Sequence, residues 1–381
     1  MSFELSKMHT EIKQEIHRIA QQKIKPRAME IDENAEYPMD VLHLLSEYGY
    51  IGANMPEEYG GAGLDLLSFC LIVEEIARVC ASSSQVAVVQ ELGTLPIMIG
   101  GDESLKKRYL PLLATGQKIA AYALTEPQAG SDVKSLNTRA ERNGNSYILN
   151  GQKMFISNGG VADVYSVFAK TNHGISAFVV DKDTPGFQIG KLEKKMGIKG
   201  SPTAQLYFEN CMIPVENRIG EEGDGWLIAM KTFDKSRPTV AAQALGIAQG
   251  AFDIALSYVQ EREQFGKNIA SFQGVQFMLA DMATQIEAAR GLVYRAASKV
   301  NELTATGKNA ELTQASSMAK MFASDVAMKV TTDAVQLLGG YGFIHEYAVE
   351  RMMRDAKITQ IYEGTNQIQR VVIAKTLLGG R

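Results

Sequence analysis

Apolar residues recur at helical spacing through the first third of the chain. Stripes with intervals of three or four residues are formed by Ile12, Ile16 and Ile19, by Val41, Leu44, Leu45 and Tyr48, and by Ile72, Ile76 and Val79. Such intervals put the apolar side chains on one face of a helix. Pro26 is expected to end or reset the first helix, and Gly49 to terminate the second. Residues 1–118 are therefore predicted to form an N-terminal helical domain.

The pattern changes after about residue 117. Short runs rich in β-branched and aromatic residues follow at 164–169, 175–180 and 205–208, and Asn143-Gly144-Asn145 is typical of a hairpin turn. Because no long helical segment separates these runs, residues 119–225 are predicted to form a central antiparallel β-domain. A Rossmann nucleotide-binding fold is excluded on the same ground, and no G-x-G-x-x-G motif follows a predicted strand.

Long helical stripes return in the last part of the chain. They are carried by Leu245, Phe252, Leu256 and Val259, by Met282, Ile286, Ala289, Val293, Ala296 and Val300, and by Ala315, Ala319, Phe322, Val326 and Val330. The length of these stripes and their many small residues are typical of a tightly packed bundle. Residues 226–381 are predicted to be a C-terminal domain resembling a four-helix bundle, which gives an α+β chain in the order helical, β, helical.

Composition narrows the function classes. The 381 residues are 45% hydrophobic and 22% charged, with a net charge of −4, which is ordinary for a globular protein and unlike a binder of nucleic acid or anionic membrane. No uninterrupted apolar run of about 18 residues occurs, so no membrane span is predicted. The N-terminus has no signal-peptide character. Cys70, Cys80 and Cys211 have no metal-ligand spacing, and reduced thiols are consistent with the cytoplasm.

Metal chemistry is not expected. The histidines, His9, His17, His43, His173 and His345, show no paired ligand spacing. Since catalytic metal sites draw their ligands from clustered His, Cys and carboxylate residues, no metal ligand is assigned.

The stretch from Gln336 to Arg370 carries the strongest candidate for catalysis. Glycines at positions 339, 340 and 342 interrupt an apolar helical run, so the backbone turns sharply or approaches something closely there. Glu363 follows Tyr362 and precedes Gly364, which presents a carboxylate on a bend. Apolar surroundings raise the pKa of a carboxyl group and suit it to general-base work. A helix C-cap followed by a surface acid remains the alternative.

Two polar stretches border the predicted sheet. The first runs from Tyr122 to Asp132 and the second is Phe155-Ile-Ser-Asn-Gly-Gly160. Hydroxyls, backbone amides and glycines in such stretches can hold a polar ring and a phosphate, although both also match ordinary turns. Further along, Arg262 has the planar guanidinium suited to pyrophosphate, with a solvated helix face as the alternative.

Together these motifs resemble the acyl-CoA dehydrogenase family, and the resemblance extends over nearly the whole chain. It is carried by Gln336-x-x-Gly-Gly-x-Gly-Phe, by Tyr362-Glu-Gly-Thr-x-Gln-x-x-Arg370, by Thr125-Glu-x-x-x-Gly-Ser-Asp132 and by the stretch at 155–158. The resemblance implies FAD as cofactor and Glu363 as the catalytic base. It implies that FAD contacts fall on Tyr122, Leu124, Thr125, Gly130, Ser131, Phe155, Ile156, Ser157, Arg262, Gln264, Phe265, Gln273, Gln336, Leu337, Gly339, Gly340, Thr365 and Gln367.

The chain departs from the common family pattern at the flavin stretch, with Phe155 for Trp and Ser157 for Thr. An aromatic ring and a hydroxyl are both kept, so the expected role changes little. Some relatives carry their catalytic glutamate at the position of Ser236, where a serine cannot act as the base. By the same resemblance, the substrate contacts fall on Ser131, Asp234, Arg237, Tyr362, Gly364 and Glu91.

The implied reaction is the α,β-dehydrogenation of an acyl-CoA thioester to the 2-enoyl-CoA. Glu363 would take the α-proton, FAD the hydride, and an electron-transfer flavoprotein the electrons. Because family members complete the cofactor site with a neighbouring subunit, a homotetramer is expected. Alternatives are a related flavin oxidase or enoyl-CoA reductase, and a non-catalytic helical interaction protein of the same fold.

Glu91 stands where relatives that act on straight chains tend to carry a serine. One interpretation is a structural carboxylate bonded to a neighbouring hydroxyl or arginine. The other is that Glu91 closes the acyl pocket and restricts the substrate to a short, branched or cyclic acyl group. An unpaired buried carboxylate beside an alkyl tail would cost on the order of several kcal/mol, so long chains are disfavoured in both cases.

Overall fold

The computed structural model describes residues 5–306 and 309–379. Helices come first along the chain, an eight-stranded sheet follows, and long helices complete it. The predicted order of helical, β and helical regions is therefore confirmed.

The N-terminal region consists of helices whose buried apolar residues belong to two clusters, with those of α6 in the second. They are α1 (Lys7–Ile19), α2 (Ala28–Asn34), α3 (Met39–Glu47), α4 (Leu66–Ala77), α5 (Ala81–Gly100) and α6 (Glu103–Ala114). Around Pro26 the helix changes to a π turn and then a 3₁₀ turn before α2 begins, as its missing N–H requires. Gly49, two residues after α3, has a φ of +72°, the left-handed conformation that ends helices.

The sheet is mostly but not entirely antiparallel. Its strands are β1 (Ala120–Ala123), β2 (Arg139–Asn143), β3 (Ser146–Ser157), β4 (Val164–Thr171), β5 (Gly174–Asp181), β6 (Phe187–Leu192), β7 (Thr203–Pro214) and β8 (Arg218–Ile219). The order is β6-β7-β3-β2-β4-β5-β8, with β1 beside β4. The expected hairpin joins β2 to β3 through Gly144-Asn145.

Two pairings depart from the predicted antiparallel arrangement of the central domain. Strand β1 pairs with β4 in parallel, and β2 meets β4 in parallel at Arg139 and Lys170. Neither pair is joined by a tight turn, so the apolar period along each strand does not fix their relative direction.

The C-terminal region is a helical bundle arranged around one central helix. It contains α7 (Gly225–Glu261), the small hairpin β9 (Glu263–Gln264) and β10 (Lys267–Asn268), α8 (Gln273–Thr306), α9 (Asn309–Leu338), α10 (Val349–Thr359) and α11 (Asn366–Leu377). Helix α9 packs against α7, α8, α10 and α11. A 3₁₀ turn over Gly339–Phe343 follows α9, where the sequence predicts a sharp change of direction.

Helix α7 has the length and apolar composition that a membrane crossing would need, and it is the one such helix in the described ranges. Most of its apolar window is buried inside the protein. Within the bundle, α7 packs against α4, α5, α8 and α9, which is the burial of a core helix.

Packing between the regions determines where the candidate site lies. Helices α4 and α5 pack on α7, and buried residues of all three share one apolar cluster, for example Ile72, Val88 and Leu245. Glu91 on α5 is therefore brought against the same helix that carries Ser236 and Arg237.

Candidate active site

Glu363 lies in a strained turn between α10 and α11. Its φ is +52°, in the left-handed region that side-chain-bearing residues rarely adopt, and Gly364 follows at +92°. Gln369 Nε2 donates to the carbonyl oxygens of both residues, at 3.2 and 2.9 Å. Lys320 Nζ donates to Gly364 O at 2.8 Å. These bonds fix the backbone, so the direction of the Glu363 side chain is set before any substrate binds.

The carboxyl group of Glu363 is surrounded by groups with opposing effects on its pKa. Burial is the largest effect, and it raises the pKa to about 6. Ser236 Oγ donates to Oε2 at 2.6 Å, and Arg237 and Lys320 supply nearby positive charge, which all oppose the rise. At neutral pH the group is therefore mostly ionised, yet its pKa is close enough to neutrality for proton transfer.

Arg237 is a buried arginine with an unsatisfied nitrogen. Its guanidinium lies 5.5 Å from the centre of the Phe233 ring, and Nη1 donates to Ser317 Oγ at 3.3 Å. Its Nε is buried and has no partner among the described residues. Asp234 is already engaged, since Thr313 Oγ1 donates to its carboxylate at 2.5 Å. Of the two predicted CoA contacts on α7, Arg237 has the free donor.

Glu91 is buried on α5 with one oxygen unpaired. Asn54 Nδ2 donates to Oε1 at 2.6 Å, whereas Oε2 has no partner in the parts of the chain that the structure describes. Burial raises the pKa of Glu91 to about 8, and the charge of Glu363 adds to that rise. Glu91 is thus mostly protonated at neutral pH, and its free oxygen can carry the proton.

Strand β1, which contains Tyr122, is followed by Leu124 and Thr125 in a turn that a buried ion pair holds in place. Lys153 on β3 donates to Leu124 O at 3.0 Å and to Glu126 Oε1 at 2.7 Å, and its side chain is fully buried. Glu126 also accepts from the backbone of residues 137 and 138. The turn is therefore tied to both β3 and the segment that leads into β2.

An irregularity in β3 presents Phe155 to the surface. The pairing of β3 with β7 shifts register between Lys153 and Ile156, and Phe155 has a φ of +58°. A bulge of this kind re-aims a side chain. As a result the Phe155 ring is 59% exposed while Ile156 is buried. Ser157 follows at the end of the strand.

A second group of predicted residues lines a groove in the helical bundle. The groove has a volume of about 550 Å³, and its lining includes Arg262, Gln264, Gln336, Leu337, Gly339 and Gly340. Arg262 lies over the Tyr341 ring at 5.5 Å and forms no ion pair with any described residue. Beside it, Phe265 is 93% exposed at the tip of the β9–β10 hairpin. Gln273 and Gln367 are exposed, and Thr365 caps α11.

Comparison of the chain with known protein families identifies the family to which it is similar. Residues 6–117 match the N-terminal domain of acyl-CoA dehydrogenases, residues 121–211 the middle domain and residues 223–378 the C-terminal domain. The chain belongs to the acyl-CoA dehydrogenase family. It is therefore an oxidoreductase with acyl-CoA dehydrogenase activity.

Similar proteins include several bacterial acyl-CoA dehydrogenases. A probable acyl-CoA dehydrogenase, fadE25, from Mycobacterium bovis is 51% identical over 99% of this chain and 97% of its own. The cyclohexane-1-carbonyl-CoA dehydrogenase of Geobacter metallireducens is 48% identical over 95% of both chains.

Solved structures show the same fold. Butyryl-CoA dehydrogenase from Megasphaera elsdenii has a TM-score of 0.94 and 46% identity, covering 99% of this chain and 100% of that one. A chain in a study of the electron transferring flavoprotein of Acidaminococcus fermentans has a TM-score of 0.96 and 49% identity, with coverage of 99% and 100%. An acyl-CoA dehydrogenase complexed with FAD from Bacillus anthracis has a TM-score of 0.94 and 38% identity, with coverage of 99% and 67%.

FAD is the cofactor of the family, and the residues of this acyl-CoA dehydrogenase fit it. The hydroxyls of Thr125, Ser131 and Ser157 have no hydrogen-bond partner within the described ranges, and a Cβ added at Gly130 would meet nothing within 4 Å. Phe155 offers an exposed ring two residues before Ser157. Arg262 forms no ion pair with a described residue in its groove, and its planar, charged guanidinium is suited to bind pyrophosphate.

The predicted cofactor residues form two groups within one chain. Those at 122–131 and 155–157 lie at the sheet, and those at 262–273 and 336–340 lie in the bundle. No hydrogen bond or ion pair between described residues links the groups. Among the substrate contacts, Arg237, Gly364 and Tyr362 cluster with Glu363, and Glu91 lies close enough for the charge of Glu363 to raise its pKa.

Sequence reasoning missed the buried lysines. Lys153 and Lys320 support the two turns that carry the candidate cofactor and catalytic residues. A signal for Lys320 existed, because it follows Ser316 by four residues and precedes Ala323 by three, which puts it on the buried face of α9.

Proposed function

We propose that this acyl-CoA dehydrogenase converts a short, branched or cyclic acyl-CoA to its 2-enoyl-CoA, with Glu363 as the base. The observation that carries the proposal is the carboxyl group of Glu363, held on a fixed left-handed turn with a pKa of about 6. A base must be ionised at the working pH and must regain a proton readily, and this pKa meets both needs.

The backbone of the same turn offers a donor for the substrate. The amide N–H of Glu363 has no acceptor among the described residues, although its neighbours Tyr362 and Asn366 both donate to backbone oxygens. A free N–H beside the base can bind the thioester carbonyl, where negative charge develops as the α-proton leaves. Base and oxyanion donor are then parts of one residue, so their relative position is fixed.

The chemistry balances as one proton and one hydride. The C–H bond at the α-carbon breaks and its proton passes to a Glu363 carboxylate oxygen, while the electron pair forms the α,β double bond. FAD, when bound, accepts the hydrogen that leaves the β-carbon with its electron pair. Arg237, with its unpaired Nε, is suited to hold a polar part of the CoA thioester near the base.

Glu363→Gln tests the assignment of the base. The variant should keep FAD and acyl-CoA binding and lose about two to four decades in the rate of flavin reduction, the usual value of a positioned base. Glu209→Gln, on an exposed position of β7, is the matched control and should reduce its flavin at the normal rate. Near-normal flavin reduction in Glu363→Gln would move the role of base to another residue.

Support for a small or cyclic acyl group comes from Glu91. Its buried, mostly protonated carboxyl group is near Glu363 and is a poor neighbour for a long alkyl chain. Two similar proteins are named for cyclohexane-1-carbonyl-CoA and butyryl-CoA. A series of butyryl-, isobutyryl-, cyclohexanecarbonyl- and octanoyl-CoA should show kcat/KM falling for octanoyl-CoA, and Glu91→Ser should relieve that fall. A wild-type preference for octanoyl-CoA, or an unchanged profile in the variant, would contradict the proposal.

An electron-transfer flavoprotein in the cytoplasm is the proposed electron acceptor, and a homotetramer the proposed assembly. The similar chain in the Acidaminococcus fermentans study supports the first. The exposed groove around Arg262, which a second subunit could cover, supports the second. Turnover with an electron-transfer flavoprotein is compared with turnover with oxygen, and light scattering gives the mass. Faster turnover with oxygen would indicate an oxidase, and a 41.6 kDa particle that retains FAD would exclude the tetramer.

A further inference from the structure

Helix α9 buries a lysine directly beneath the turn that carries Glu363. The side chain of Lys320 is fully buried. Its ammonium donates to Gly364 O at 2.8 Å and to Asn366 Oδ1 at 3.0 Å. Both acceptors follow Glu363 within three residues, and Asn366 begins α11. One side chain from the centre of the bundle therefore holds the end of the turn and the start of the next helix.

Lys320 lacks the direct partner that buried lysines usually have. Lys153, which is also fully buried, contacts Glu126 at 2.7 Å. Among the described residues, no carboxylate lies within ion-pairing distance of Lys320. Asp325, one helical turn away, is paired with Arg370 at 3.0 Å. Burying a cation without a contacting anion is costly, so a role at the site is a better account than stability alone.

The charges around Glu363 come from several packed elements. Ser236 and Arg237 face it from α7, Lys320 from α9, Tyr122 from β1 and Glu91 from α5. Tyr362 adjoins it on the same turn, and burial keeps that phenol protonated because its pKa lies well above 10. Arg237 and Lys320 are thus the cations that oppose the effect of burial on Glu363.

We propose that Lys320 is the positioning residue of the base: its hydrogen bonds fix the turn, and its positive charge favours the ionised form of Glu363. The inference rests on the proposed role of Glu363. Burial lowers the pKa of Lys320 to about 7, and the charge of Glu363 opposes that fall. The charge of Lys320 in turn opposes the rise in the pKa of Glu363, so each group favours the charged form of the other.

Two neutral variants separate the charge from the hydrogen bonds. Lys320→Met removes both, and Lys320→Gln keeps an uncharged amide donor on a side chain one bond shorter. In both variants the acid limb of the pH profile for flavin reduction should move upward by about one pH unit, the usual effect of one nearby charge. The plateau rate should fall further in Lys320→Met than in Lys320→Gln. Lys329→Met, an exposed lysine on α9 paired with Asp333, should leave midpoint and plateau unchanged.

A reciprocal measurement tests the coupling between Lys320 and Glu363 without substituting Lys320. Because Glu363 helps to keep Lys320 protonated, Glu363→Gln should lower the pKa of Lys320. NMR of protein labelled with ¹³Cε-lysine reports that pKa directly, and the Lys320 resonance is expected among those that titrate well below the usual lysine range, because burial lowers its pKa to about 7. This readout does not depend on catalysis.

The outcomes distinguish a failure of the proposed base, Glu363, from a failure of the proposed role of Lys320. Normal flavin reduction in Glu363→Gln would overturn the proposed base, whatever the lysine signal does. A second outcome is that Glu363→Gln loses rate as expected while the pKa of Lys320 stays the same. If the acid limbs of Lys320→Met and Lys320→Gln also stay at the wild-type pH, the role of Lys320 is overturned and the role of Glu363 stands. A lower plateau with an unchanged midpoint would reduce Lys320 to a structural support and would equally refute the proposal.

Discussion

Glu91→Gln changes the stability of this acyl-CoA dehydrogenase in a way that depends on pH. Glutamine has nearly the shape of a protonated glutamic acid, but it has no charge to lose. At low pH the variant and the wild type should therefore be equally stable. As pH rises, the folded wild type must either hold a proton on Glu91 that the unfolded chain releases or bury an ionised carboxylate. Both lower the stability of the wild type, and the variant avoids both because its amide does not titrate.

The size of the effect follows from the pKa of Glu91 in the two states. The unfolded value is about 4.5 and the folded value is about 8. Because the folded protein holds the proton more tightly, stability falls with rising pH between these values and is constant above and below them. The slope is about 1.4 kcal/mol per pH unit, so from about pH 5 to pH 8 the wild type loses about 3 to 4 kcal/mol relative to the variant.

Calorimetric melting of the holoenzyme at several pH values measures this difference. For a chain of this length about 1 kcal/mol corresponds to about 1 °C, so the melting temperature of the variant should exceed that of the wild type by about 4 °C near pH 8 and match it near pH 5. Glu141→Gln, on the exposed side of β2, is the control and should show no trend. A difference that is equal at both pH values would refute the protonated state of Glu91.

Three further variants test the supports of the site. Lys153→Met should lower the free energy of unfolding by about 3–5 kcal/mol in thermal melts, because Glu126 is left buried without its cation; full stability would contradict the pairing. Arg262→Met should weaken FAD retention about tenfold in flavin-release titrations, because charge-assisted hydrogen bonds to the cofactor are lost. Unchanged retention would show that the groove around Arg262 does not bind FAD. Ser236→Ala should raise the pKa of Glu363, so the acid limb of kcat/KM moves upward; a downward shift would contradict the donor role.

Helices were predictable because their burial is one-sided. The intervals at Ile16 and Ile19, and at Met282 and Ile286, match side chains that are almost completely buried. The hairpin between β2 and β3 was predictable for a local reason, since Gly144 supplies the positive φ that a two-residue turn needs. The parallel pairing of β1 with β4 was not, because it depends on packing between segments about 40 residues apart.

The candidate site shows the same division. The bend at Glu363 was visible in the sequence, because Gly364 favours a left-handed conformation. The left-handed conformations of Phe155 and Glu363 themselves were not visible, since residues with a Cβ adopt them only when tertiary contacts require it. Gln369, Lys320 and the bulge in β3 supply those contacts, and no local sequence pattern predicts them.

The two buried glutamates near the reaction centre have different pKa values, and the order of those values supports their proposed roles. Burial raises both pKa values. A serine donor and two nearby cations oppose the rise at Glu363, whereas at Glu91 the opposing effects of Thr239, Asn54 and Lys235 are partly offset by the negative charge of Glu363. Their pKa values are therefore about 6 and about 8. At neutral pH Glu363 can accept a proton and Glu91 cannot. When Glu363 takes the α-proton its charge disappears, which removes the repulsion that helped to keep Glu91 protonated, so the second acid becomes slightly more acidic as the reaction proceeds.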